Sequence, residues 1–234
     1  MTHQAQQQQQ KQDGIGWIGL GEMGVEMASD LQKYLVKTHG HPLTVWNRTP
    51  GKTDRLADEG AVVATSIESL LAQSNIVFTS LSNDAAVESV YSVLLEQARL
   101  RSDPVVFVET STIYPTLASK LATQLASASP QHRFLQNLIF GRPTAAATAQ
   151  LVWVTSGDEA TVTSLRPYFE SMSRAILDLK TEDVSRASVF KLMGNFLVVG
   201  SIELLSEGLA LGGKNSIEEG DVLKLVELLF PSPV

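Results

Sequence analysis

The sequence predicts an α/β chain: a doubly wound parallel sheet, followed by a long helix and the start of an all-helical domain. Three observations predict it. Short apolar runs alternate with helical patterns from residue 15 to about residue 179. The first run opens into glycines spaced G-x-G-x-x-G, and beyond residue 183 the alternation gives way to one long apolar-rich stretch without proline. Strands separated by helices of this length need right-handed crossovers, which set neighbouring strands parallel.

The expected strands cover residues 15–20, 43–47, 61–63, 76–80, 105–109, 134–139, 151–156 and 175–179. The first is a short apolar run bounded by glycines, as a buried parallel strand should be. Helices are expected over 23–37, 51–59, 67–74, 85–95, 115–128 and 159–172. Pro115 suits the first turn of its helix, and Asp84 is expected to cap the helix that starts at Ala85. The stretch 183–211 reads as a helix of about seven to eight turns, and a last helix is expected over 218–230. The organisation is therefore a Gln-rich, disordered tail over 1–13, a dinucleotide-binding domain over 14–180, and a linking helix with a partial helical domain over 181–234.

Gly19, Gly21 and Gly24 stand where the first strand passes into the first helix. The first permits the tight turn, the second lets the backbone approach a pyrophosphate, and the third allows the helix to pack close to the strand. The N–H groups of this turn, carried by Leu20, Glu22 and Met23 with the glycines, then hold the phosphates at the helix N-terminus. Such a triplet alone is a weak signal, and a glycine-rich turn with a surface arginine is the plainer reading of the parts. The second strand strengthens it. Where an NAD site of the Rossmann type places an acid for the ribose 2′-hydroxyl, this chain ends the strand with Asn47 and Arg48. An acid would repel a 2′-phosphate, whereas the planar guanidinium can pair with it and stack on adenine, with Thr49 and Lys52 as further donors. The expected cofactor is NADP(H).

Composition narrows the partners. A chain of 234 residues with 44% hydrophobic content can bury one full core and part of another. Its net charge of −7 and pI near 5.1 disfavour nucleic acid and anionic membrane. With no cysteine, thiolate catalysis and disulfides are excluded, and the four histidines show no ligand spacing, so no metal is expected. The N-terminus lacks the features of a signal or transit peptide, and no apolar run approaches the length of a membrane span. The default expectation is a cytoplasmic, soluble protein.

Four segments in order, GLGEMG, WNRT, ETSTIYP (109–115) and KLMGN (191–195), together resemble the β-hydroxyacid dehydrogenases. That group includes 3-hydroxyisobutyrate dehydrogenases, glyoxylate and succinic semialdehyde reductases and, more distantly, 6-phosphogluconate dehydrogenase and imine reductases. The resemblance implies an active site between the cofactor domain and a helical domain joined by the long helix. It assigns Lys191 as proton donor to the substrate oxygen and Asn195, four residues on, as its helical neighbour that orients the substrate. Hydride transfer needs such a donor, and burial would bring a lysine down from its usual range near 10.4. Read without the family, the pair is a snorkelling lysine and a solvent-facing asparagine. The resemblance also makes Ser111, with Thr112, a ligand of the substrate carboxylate; both could equally cap the helix that follows. Leu81 and Ser82, after the fourth strand, are expected along the ribose and nicotinamide.

Two departures stand out. Where the family carries a glycine-rich segment against the substrate, this chain has Asn137 to Arg142; Gly141 is kept, Phe140 adds an aromatic wall, and Arg142 adds a cation. The family also continues through further helices beyond the point where this sequence stops, which implies either a fragment or a cleft wall supplied by a partner chain. A homo-oligomer formed through the long helix is expected. The reading is an NADPH-dependent reductase or dehydrogenase of a small carboxylated aldehyde, ketone or β-hydroxyacid. The alternatives are an imine reductase and a non-catalytic NADP-binding dimerisation module.

Overall fold

The computed structural model describes residues 14–230; the expected tail over 1–13 lies outside them. Eight strands form one sheet in the order β3-β2-β1-β4-β5-β6-β7-β8. The left half is β1 (Ile15–Ile18), β2 (Thr44–Trp46) and β3 (Val62–Val63), joined by α1 (Glu22–Thr38) and α2 (Asp54–Asp58). α3 (Ile67–Gln73) crosses to β4 (Ile76–Thr79), followed by α4 (Asp84–Ala98), β5 (Val106–Glu109), α5 (Pro115–Ala128) and β6 (Arg133–Phe140). α6 (Pro143–Ala146), β7 (Leu151–Ser156), α7 (Glu159–Glu170) and β8 (Ser173–Asp178) complete the sheet; α8 (Ser185–Lys214) and α9 (Glu219–Leu229) follow.

The expected elements are present, with three corrections. β7 runs antiparallel to β6, with Leu138 opposite Val154. The connection from Gly141 to Gln150 holds only the four-residue α6, which is too short for the crossover that a parallel neighbour requires. The cap of α4 is Asn83, whose side chain accepts the Ala86 N–H, and not Asp84. Asp84 instead accepts the N–H of Tyr114 at 3.2 Å, linking the start of α4 to the entry of α5. Neither Ser111 nor Thr112 caps α5; its N-cap is Tyr114, with Pro115 in the first turn.

Both faces of the sheet are covered. On one, Trp17 stacks on Phe78 (5.2 Å between ring centres) and Trp153 on Phe169 (5.6 Å), beneath the apolar faces of α1 and α7. On the other, Val77 and Phe107 pack against α3, α4 and α5. Strand order reverses between β1 and β4, and the crevice outside the strand ends at such a reversal is where doubly wound sheets bind ligands.

The chain divides into two compact units, Met1–Lys191 and Leu192–Val234. α8 begins in the first, where Ala187 packs with Leu138 and Val154. The second unit, taken alone, comprises the remainder of α8 and α9. They meet at a tight turn in which Ser216 has φ 58° and Gly212 lies against Val222. Among the described residues, α8 is long and apolar enough to cross a membrane by length and composition, with 30 residues and a mean hydropathy of 1.5 over its most apolar window. The expectation of no such run counted only unbroken apolar sequence.

Candidate active site

The glycine turn is shaped by contacts that admit no side chain. Gly19 has φ 97°, a left-handed conformation that disfavours other residues, and a Cβ on it would lie 2.2 Å from the Ser80 carbonyl oxygen. A Cβ on Gly24 would lie 2.3 Å from the Gly19 carbonyl oxygen, so close approach of α1 to β1 requires hydrogen there. At Gly21 nothing lies within 4 Å, and the backbone is open. Gly21 is also the N-cap of the 17-residue α1 and supplies no side-chain cap, which leaves first-turn N–H groups for an anion. Asn47 fixes the turn from β2: its Oδ1 accepts the Leu20 N–H at 2.9 Å and its Nδ2 donates to the Thr49 carbonyl at 3.1 Å.

Around this turn lies a cavity of about 510 Å³, within the usual size for a cofactor site. Gly19, Leu20 and Gly21 of the turn and Glu22, Met23 and Gly24 of α1 line it on one side; Asn47, Arg48, Thr49 and Lys52 line it from beyond β2; and Leu81 and Ser82 line it from the loop after β4. Sequence reasoning missed the rest of the wall: Trp46, Ile67, Ser80, Ala86, Ser89, Val90 and Val93. The last four share a face of α4, but that period is the same whether a helix packs on a core or on a ligand.

The residues expected near the substrate lie at the ends of β5 and β6 and in α8. Ser111 is buried, and its Oγ accepts the Leu81 N–H at 2.6 Å, so the loop after β5 is tied to the loop after β4. Thr112 is exposed. Gly141 follows β6 with φ 146°, and a Cβ there would meet Leu151 at 2.6 Å; Arg142, exposed, begins α6. Lys191 is half-buried: its Nζ donates to the Ile139 carbonyl at 2.6 Å and lies 4.1 Å from the centre of the Phe140 ring. Burial pushes the pKa of this ammonium down from the ordinary lysine value. Asn195 belongs to the second unit and is exposed. Among the described residues, no group of three or more His, Asp or Glu could hold a metal ion.

The glycine turn, the switch-point cavity and the strand order define an NAD(P)-binding domain of Rossmann type. Residues 14–184 match the NAD binding domain of 6-phosphogluconate dehydrogenase. The chain belongs to the β-hydroxyacid dehydrogenase family. It is 34% identical over 223 residues to an uncharacterised oxidoreductase of Bacillus subtilis, covering 94% of this chain and 74% of the relative. It is 31% identical over 215 residues to an NADH-dependent oxidoreductase of Aspergillus ustus, covering 90% of this chain and 70% of the relative. A Mycobacterium tuberculosis 3-hydroxyisobutyrate dehydrogenase crystallised with L-serine shares the fold, with a TM-score of 0.81 at 23% identity over 92% of this chain and 70% of that one.

Proposed function

We propose that this chain is an NADPH-dependent oxidoreductase that interconverts a small β-hydroxyacid with the corresponding carboxylated aldehyde or ketone. The observation that carries the reading is the half-buried Lys191 beside β6, an ammonium whose pKa burial pushes down toward the range a general acid needs. The nicotinamide, when bound, supplies the hydride. The chain's own residues do the rest. Lys191, released from the Ile139 carbonyl, donates a proton to the substrate oxygen during reduction. Ser111, whose Oγ accepts the Leu81 N–H and whose side chain also bonds the Glu109 carboxyl, would turn its hydroxyl from Glu109 to hold the substrate carboxylate. The reading is tested by NADPH oxidation against glyoxylate, succinic semialdehyde and a cyclic imine. Reduction of the carboxylated aldehydes supports it, and NADPH binding without turnover of any of the three rejects it in favour of a non-catalytic binding module.

A second reading rests on Phe140, whose ring stands beside the Lys191 ammonium and packs edge-on against Phe190 at 6.5 Å. An aromatic wall there suits an imine, and turnover of the cyclic imine alone would select this reading.

The preference for NADP(H) rests on Arg48, which lines the cavity beside Thr49 and Lys52. One relative is named for NADH, and the proposed preference of this chain is assigned to the residue that follows β2. Arg48→Asp is expected to weaken NADPH binding about ten- to a hundredfold while changing NADH binding little, since one charge-assisted phosphate contact is worth roughly 1.5–3 kcal/mol. Calorimetry with both cofactors checks this; equal wild-type affinities would remove Arg48 from the role.

The second unit, considered by itself, exposes Phe196, Leu204 and Leu228 at 75%, 76% and 71%. Apolar exposure on this scale marks an interaction surface, and we assign it to a second copy of this chain. Light scattering is expected to show a dimer, and Phe196→Glu is expected to shift it toward monomer. A concentration-independent monomer in the wild type would reject the assignment.

A further inference from the structure

Glu109 ends β5 with none of its surface exposed. A buried carboxyl is costly unless its oxygens are satisfied, and here both are engaged. Oε1 accepts the main-chain N–H of Ser111 at 2.6 Å, and Oε2 accepts the Thr79 hydroxyl at 2.8 Å. Thr79 is the last residue of β4, and its carbonyl in turn accepts the Thr110 N–H at 2.9 Å and the Thr110 hydroxyl at 2.8 Å. The titratable group facing Glu109 is Tyr91 of α4, whose hydroxyl lies 3.3 Å from Thr79 Oγ1. Burial, and then the Glu109 carboxyl, push that phenol up. From β6 comes the neutral Gln136, whose amide donates to the Ser111 carbonyl at 3.4 Å.

These bonds converge on one place. The loop leaving β4 carries Ser80, Leu81 and Ser82 of the cavity wall. The loop leaving β5 carries Ser111, whose Oγ receives the Leu81 N–H. We propose that Glu109 is a positioning residue that locks these two loops together and so sets the Ser111 hydroxyl for the substrate carboxylate, an inference that rests on the role given to Ser111 above. Glu109 does not touch the substrate; it acts through the backbone N–H and the side chain of Ser111.

The lock is pH-dependent, and its sign follows from burial. Burial pushes the Glu109 pKa up to about 7, from an ordinary 4.5. A group with a raised pKa in the closed state contributes fully below the ordinary value, and that contribution is lost as pH rises through the raised one. Opening of the two loops, which would hydrate the carboxylate, therefore becomes easier between pH 4.5 and about 8. Glutamine at this position stays neutral. Its carbonyl can accept the Ser111 N–H and its amide can donate to Thr79 Oγ1, so Glu109→Gln should remain locked throughout.

Amide hydrogen exchange at Leu81 and Ser111, corrected for the intrinsic pH dependence of exchange, reads this directly and needs no turnover. In the wild-type chain the opening constant is expected to rise about ten- to three-hundredfold from pH 5 to pH 8.5, the ceiling being set by the pKa shift. Glu109→Gln should be flat over the same range, and Glu109→Val should exchange rapidly at both pH values while the amides of β1 stay protected. A pH dependence that persists in Glu109→Gln, or amides that stay slow in Glu109→Val, would overturn the proposal. If Glu109→Val unfolds outright, the comparison of wild type with Glu109→Gln decides alone. A chain that shows the exchange pattern yet reduces nothing on the substrate panel keeps the lock and loses the catalytic reading. A chain that reduces the carboxylated aldehydes yet shows no pH-dependent exchange does the reverse.

Discussion

Lys191→Ala is expected to lower turnover by about a hundred- to ten-thousandfold, the usual contribution of a positioned general acid, while NADPH binds as in the wild type. The separation follows from position. Lys191 is not among the residues lining the dinucleotide cavity; it hangs from the Ile139 carbonyl beside Phe140. Removing it takes away the proposed proton source and leaves the residues lining the cavity untouched. Lys191→Arg keeps the charge but cannot release a proton at working pH, so it too should be nearly inactive. In the wild type, reduction should decline as the ammonium titrates, at a pH below the ordinary lysine range because burial pushes the group down. NADPH fluorescence measures the binding and a pH–rate profile the chemistry. A Lys191→Ala chain that keeps most of its activity would place the proton donor elsewhere.

Two glycines three residues apart are expected to fail in different ways. In Gly24→Ala the new methyl would sit 2.3 Å from the Gly19 carbonyl oxygen and 3.2 Å from Ser80. Backbone cannot yield there without moving α1 away from β1. Overpacking of this kind costs roughly 1–3 kcal/mol or more, which for a domain of this size is a fall in Tm of roughly 2–4 °C per kcal/mol. Dinucleotide binding should be lost as well, because the turn itself is displaced. In Gly21→Ala the methyl meets nothing within 4 Å, and the backbone at φ −72° is one that alanine adopts freely. Its Tm should fall far less than that of Gly24→Ala, by the small cost of alanine at a helix N-cap, yet affinity for NADPH should fall at least tenfold, since the methyl enters the space where the pyrophosphate would lie against the helix N-terminus. Thermal melts with and without NADPH separate the two outcomes. A Gly21→Ala chain that binds as tightly as the wild type would move the pyrophosphate off this turn.

Much of this was legible before any coordinates, and the reason is local. The strand and helix order follows from apolar periods of two and 3.6 residues, and the glycine turn from what the backbone tolerates at Gly19, Gly21 and Gly24. The residues expected at the dinucleotide sit in two short segments and the loop after β4, all of which reach the cavity wall. A sequence reader can see such segments because each carries its chemistry within a few residues of itself. The misplaced cap at Asp84 was one residue from Asn83, and only the hydrogen bond to Ala86 distinguishes them.

What the sequence by itself determined was therefore the family, the Rossmann order of elements and the position of the glycine turn. The tertiary structure decided what depends on groups far apart in the chain. It turned β7 antiparallel to β6 because the connection is too short to cross over. It set Lys191 on the carbonyl of Ile139, 52 residues away, and the Leu81 N–H on Ser111, 30 residues away. It also buried Glu109 between Thr79 and Ser111, although in the sequence it is only an acid at the end of a strand. Burial and long-range hydrogen bonds set that carboxyl's charge and its grip on the loops, and neither leaves a periodic trace along the chain.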